Sequence, residues 1–292
     1  MPLLAYFDTN VFDHLYKKTD GVTEVDEQRL RATVSSGQLT IAVSHINIRE
    51  TLAALRHSPE IVGPELSLIA SLANWDCLVR FHSAILEADI RHFAYNGERA
   101  NTAFEDEHTV ASIRAGIRRV VEDPESRRGL EEVNNENREE KRAFMEGVRR
   151  AQTETAKAVK ELREKNEIPN FEEYYESGAE EYALAFAQSF GKAEECKRRG
   201  LNNLLKIPSV QAMVGVGLSF IYRTAVGKKS PKPSDSRDIQ HAVCAAAAAD
   251  VFVTHDDDLS LLLSRVPIKG LRVMRLHQLL EEVCRVEAIG GR

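Results

Sequence analysis

The 292-residue chain reads as an α/β protein: a three-layer α/β/α domain with a central parallel sheet, carrying an all-α insertion. Three observations predict this. Apolar runs of strand length recur near both ends of the chain, and each gives way to a helical pattern, as in βαβ units. The middle of the chain lacks such runs. Aspartate is partitioned in the same way: of 14, only Asp106 and Asp123 lie between residues 96 and 232. That stretch uses glutamate instead, which suits exposed helix.

Taken in order, LLAYFDTNVFDHL opens with a strand that stops at Asp8 and continues as helix. LTIAVSHINIRETLAAL repeats the layout, with a strand over 39–44 and Glu50 in the first turn of the helix after it. WDCLVRFHSAILEADIRHFA predicts a short strand near 78–81 and another helix. Beyond Tyr95-Asn96-Gly97 the pattern is helical as far as Ile207-Pro208, with breaks at Asp123-Pro124 and Ile168-Pro169. Within it, Glu and Lys or Arg recur at i,i+4 spacing over a thin apolar stripe of Phe144, Val148, Val159 and Leu162. Residues 209–226 form an apolar helix, and 227–233 a basic linker. SDSRDIQHAVCAAAAADVFVTHDDDL places Asp238 in a first helical turn, a buried strand at 251–254, and then Asp256. A last strand over 271–276 and a helix over 277–285 close the domain. The core is thus expected in two parts, 1–95 and 227–292, around an insertion at 96–226.

Asp8, Glu50, Asp238 and Asp256 each stand where a strand ends or a following helix begins. A right-handed parallel fold gathers such positions at the carboxyl edge of the sheet. Taken singly, each acid has an ordinary reading as a strand end, a first-turn helix acid or a turn residue. Taken together, four clustered carboxylates repel one another unless a cation neutralises them. Mg²⁺ or Mn²⁺ does so, since these hard ions take oxygen ligands and leave room for water and phosphate. Such an ion activates water and stabilises the oxygens of an in-line phosphodiester displacement.

Neighbouring residues fit supporting roles. Asn10 can orient a carboxylate or cap a helix, Thr254 ends its strand at the same edge, and Asp235 is expected to cap the helix carrying Asp238. His241, one turn beyond Asp238, is read as a supporting or packing residue before a general base. Asp257 and Asp258 extend the cluster after Asp256, and Asp258 is counted as a supplementary acid.

These segments resemble those of PIN-domain nucleases. The resemblance rests on Asp8-Thr9-Asn10 after the first strand and on Glu50 six residues after Ser44. It continues in Asp238-Ile239-Gln240-His241-Ala242 opening an alanine-rich helix, and in Val253-Thr254-His255-Asp256 after an apolar strand. It covers about residues 1–92 and 230–280 and leaves the middle of the chain unassigned. What it implies is a metal-dependent nuclease, with RNA ahead of single-stranded DNA as substrate. Asp8, Glu50, Asp238 and Asp256 would hold Mg²⁺ or Mn²⁺, and the insertion would cover the cleft, select substrate or bind a partner protein.

Charge constrains the partner. The chain carries a formal net charge of −6, with 24 basic against 24 acidic residues between 96 and 232 and 15 against 21 elsewhere. Phosphate binding therefore needs a local patch, and the linker lysines Lys228, Lys229 and Lys232, which lack acidic sequence neighbours and lead to Asp238, are the best candidates. Arg114, Arg118, Arg119, Arg127, Arg128, Arg149, Arg150, Lys197, Arg198 and Arg199 read more simply as solvated helix faces. Cys77, Cys196, Cys244 and Cys284 are scattered without a CxxC pair and read as reduced core thiols. No run of 18 apolar residues and no secretory start is present, so a cytoplasmic enzyme is expected. Two rivals stay open. One is a non-catalytic module of the same fold that binds RNA or protein. The other is an aspartate-nucleophile phosphatase, against which stands Asn10, where that chemistry needs a second acid.

Overall fold

A computed structural model describes residues 2–123, 139, 142–143, 146–147, 150, 153, 168–226, 232, 234–266 and 268–290. Lys228, Lys229, Arg127, Arg128, Arg149 and the stripe of Phe144, Val148, Val159 and Leu162 lie outside the described residues.

Five parallel strands form one sheet in the order β3-β2-β1-β4-β5: β1 Leu3–Phe7, β2 Leu39–Ser44, β3 Leu78–Val79, β4 Val251–Val253 and β5 Arg272–Met274. Leu3 pairs with Leu39 and Ala5 with Val251, so β1 is flanked on both sides. From β1 the chain builds outward through β2 and β3, then returns to the other side of β1 with β4 and β5. The order therefore reverses between β1 and β4, and a crevice opens above their carboxyl ends, where open α/β sheets bind ligands.

The period-two alternation of the strands separates two cores. Ala5, Phe7, Leu39, Ile41, Val43, Val251 and Val253 face one side. That side is covered by α1 Thr9–Lys17, α2 Glu24–Ser35, α4 Pro59–Leu72, α6 Glu107–Glu122 and α13 Leu276–Gly290. Tyr6, Ala42 and Phe252 face the other, under α5 His82–Asn96 and α11 Asp235–Ala248. The helices α7 Phe171–Ser189, α8 Ala193–Arg199, α9 Leu201–Leu204 and α10 Pro208–Ala225 pack into that second cluster, as does α12 Asp257–Arg265. The buried residues of the middle segment thus share an apolar core with β1 and β4. Asp89 of α5 reinforces the join by accepting hydrogen bonds from the Ser209 hydroxyl and, at 2.9 Å, from the Ala100 backbone N–H.

Several sequence expectations need correction. Ser44 caps α3 His45–Ala53 directly, accepting from the Ile46 N–H while Asn47 reaches back to the Ser44 N–H. The helix therefore starts earlier than expected, and Glu50 lies in its second turn, not its first. α5 ends at Gly97, whose φ of 83° is readily adopted only by glycine. The chain then runs without helix along the outer edge of β3, with Arg80 N–H donating to Ala103 O and Glu105 N–H to Leu78 O, before α6 begins. Backbone hydrogen bonding at that edge outweighs the helical pattern.

A candidate metal centre at the carboxyl edge of the sheet

Asp8 follows β1 and precedes α1, yet its side chain makes no cap to that helix. Its Oδ2 instead accepts from Asn10 Nδ2 at 2.8 Å and from Thr254 Oγ1 at 2.7 Å. Asn10 Oδ1 accepts from the His255 backbone N–H at 3.1 Å, which ties the β1–α1 turn to the loop after β4. Asn10 and Thr254 thus fix one oxygen of Asp8 and aim the other into the crevice. Burial raises the Asp8 carboxyl pKa, with the nearby Glu50 charge adding and His241 opposing.

His241, on the first turns of α11, enters between the acids. Its Nε2 lies 2.9 Å from Glu50 Oε2 and 3.4 Å from Asp8 Oδ1, and one ligand atom each of Asp8, Glu50 and His241 falls within 4.8 Å of the others. Burial disfavours the imidazolium, but Asp8 and Glu50 outweigh it and raise the His241 pKa. Burial would also raise Glu50, yet hydrogen bonds from His241 and Thr9, with Arg237 nearby, hold it below the usual carboxylate range. With both ring nitrogens protonated, Nε2 donates to Glu50 and Nδ1 to the Tyr6 hydroxyl at 2.7 Å, which in turn donates to Ser44 Oγ at 2.7 Å. This orientation leaves no donor facing a donor.

Asp238 projects from the first turn of α11. Its pKa is pushed up to about 8, first by burial and then by the charges of Asp8, Asp256 and Asp235. Asp256 caps α12, accepting from Leu259 N–H at 2.9 Å through Oδ1, while its own N–H donates to Thr254 Oγ1 at 3.1 Å. Asp238 is therefore an electrostatic neighbour of both Asp8 and Asp256, and neither Asp238 nor Asp256 belongs to the tight group of three.

The remaining expectations divide. His241, expected as a supporting or packing residue, is buried and bonds directly to Glu50. Asp235 does not cap α11: it is the first helical residue, and its carboxylate accepts from Lys232 N–H at 2.9 Å and pairs with Arg223 at 3.3 Å. Asp258 lies 3.4 Å from Arg223 and 3.7 Å from Lys232, so it is engaged by cations, and Lys232 by an acid. Asp257 is exposed and pairs with Arg275. Arg237, not anticipated from the sequence, is 4 % exposed with Nε 4.0 Å from Glu50 Oε1; the single arginine of α11, set between Asp235 and Asp238, is the signal that could have found it.

The donor set fits a hard divalent ion. Asp8, Glu50 and Asp238 offer oxygen ligands with shifted titration, and neighbouring like charges have lost the water that would screen them. His241 adds a nitrogen, which Mn²⁺ tolerates better than Mg²⁺. No family model, curated protein or solved structure matches the chain. Among the described residues, no helix is long and apolar enough to cross a membrane.

Proposed function

We propose that this protein is a divalent-metal-dependent nuclease that hydrolyses phosphodiester bonds, preferentially in single-stranded RNA. The reading is supported above all by the convergence of Asp8, Glu50 and His241 within 4.8 Å, with Asp238 close enough to feel their charge, at the sheet's point of strand-order reversal. A bound Mg²⁺ or Mn²⁺ would supply an activated water and charge stabilisation for the displaced oxygen. Asn10 and Thr254 hold Asp8 in place, and Tyr6 and Glu50 hold the His241 ring. RNA is favoured over single-stranded DNA on the resemblance of the acid-bearing segments to PIN-domain nucleases.

One observation favours a second reading. His241 sits between Asp8 and Glu50, and its protonated form would offset one of their two charges without any metal, as a non-catalytic module of this fold would require. Cleavage of end-labelled single-stranded RNA separates the two. A nuclease cuts with Mn²⁺ or Mg²⁺, stops in EDTA, and loses activity but retains RNA binding in Asp8→Asn. A binding module shows no metal-dependent products with wild type.

A further inference from the structure

We infer that His14, Asp20 and His255 form a second metal site, of the zinc class, beside the carboxylate cluster and chemically distinct from it. One ligand atom from each lies within 4.8 Å of the others, and the two imidazole rings stand 5.0 Å apart at 44°. Tetrahedral zinc with ligands at 2.0–2.1 Å sets them about 3.4 Å apart. Closing the group around an ion thus takes movements of about an ångström.

The site is built, not incidental. The His255 side chain is only 3 % exposed, with Nδ1 at 2.6 Å from Asp20 Oδ2. Its Nε2 is buried without a hydrogen-bond partner among the described residues, a costly state; with Nδ1 on Asp20, Nε2 is the nitrogen left for an ion. His14 Nδ1 is engaged by the Thr19 hydroxyl at 2.7 Å, which leaves Nε2 as its ligand atom and fixes the ring. Asp20 is held at φ 53° beside Gly21 at φ 77°, and this left-handed pair turns the carboxylate toward His255.

The competing occupant is Arg275, whose Nη1 lies 3.6 Å from the same Asp20 oxygen. Arg275 also pairs with Asp257, and neither contact satisfies His255 Nε2 or accounts for the second imidazole. Two nitrogens and one oxygen suit Zn²⁺ or its first-row neighbours, whereas the carboxylate cluster offers mostly oxygen. The ion would pin the end of α1 to the loop after β4, because His255 lies between Thr254 and Asp256 and donates its N–H to Asn10.

The test uses full-length, EDTA-treated protein carrying Asp8→Asn and Asp238→Asn, so that the first site is disabled. Titration with Co²⁺, an optical stand-in for Zn²⁺, should give the visible absorption of a nitrogen-ligated ion at one equivalent, displaced by Zn²⁺. Adding His14→Gln or Asp20→Asn should lower that affinity at least tenfold. Imidazole ¹H–¹⁵N spectra of the wild type, free of any folding concern, should show the His14 and His255 ring nitrogens shifting on addition of Zn²⁺. Unshifted rings, or Co²⁺ absorption undiminished in both added variants, would overturn the proposal. Neither readout depends on nuclease activity, so its failure and that of the nuclease reading are distinguishable.

Discussion

His241 Nε2 lies 2.9 Å from Glu50 Oε2, although the two residues are 191 positions apart in the chain. Folding therefore places a ring whose protonated form the two acids favour where a divalent ion would otherwise sit. Proton and metal compete for one place.

Mn²⁺ affinity should consequently rise with pH. The folded His241 pKa is raised, so its ion pairs stabilise the metal-free protein fully below about pH 6.5 and are lost as pH rises through the folded value. Calorimetry in buffers of different ionisation enthalpy should show proton release on Mn²⁺ binding, and less of it in His241→Gln. Equal release in both proteins would exclude His241 as the competitor.

Asp238 titrates against stability. Its folded pKa, about 8, exceeds the ordinary 3.8, so stability declines as pH rises between those values. In EDTA, Asp238→Asn should melt higher than wild type by about 2 °C or more near pH 8, with the gap closing toward pH 4. Excess Mn²⁺ should reverse the order by stabilising the wild type alone. A lower melting temperature for the variant in EDTA at both pH values would instead mark Asp238 as a structural partner.

Asp256 has two roles that substitution can separate. Asparagine preserves the cap on Leu259 N–H, so metal-free Asp256→Asn should keep its stability, while Asp256→Ala should cost about 1 kcal/mol. Chemical denaturation in EDTA measures both; equal losses would show that the charge, and not the cap, matters to the fold.

Glu65 of α4 is buried beneath Thr51 with its pKa raised from 4.5 to about 7, chiefly by burial and then by Asp13. Its contribution is favourable below pH 4.5 and is lost as pH rises through 7, a change of about 3 kcal/mol at most. Glu65→Gln should therefore be more stable than wild type at pH 8 and no more stable at pH 4. Equal urea midpoints at pH 8 would contradict this.

Strand positions and the edge carrying the acids were legible because apolar periodicity and strand-helix alternation are local signals. Asp8 and Asp256 read correctly as residues that follow strands. What stayed illegible depends on side-chain direction. Asp238 and His241 share a helix face by spacing, but only the close packing of α11 over β1 brings His241 onto Glu50. The meeting of His14 and Asp20 with His255 requires two left-handed backbone positions in succession, which residue type alone does not announce. Asp258 reads in sequence as a supplementary acid of the cluster because its partner Arg223 lies 35 residues earlier, across a helix interface.

The most direct measurement is anomalous scattering from a crystal soaked in Mn²⁺. A peak is expected among Asp8, Glu50 and Asp238, with His241 moved off Glu50 or turned to ligate the ion. A map with no peak there, and His241 still 2.9 Å from Glu50 at millimolar Mn²⁺, would contradict it.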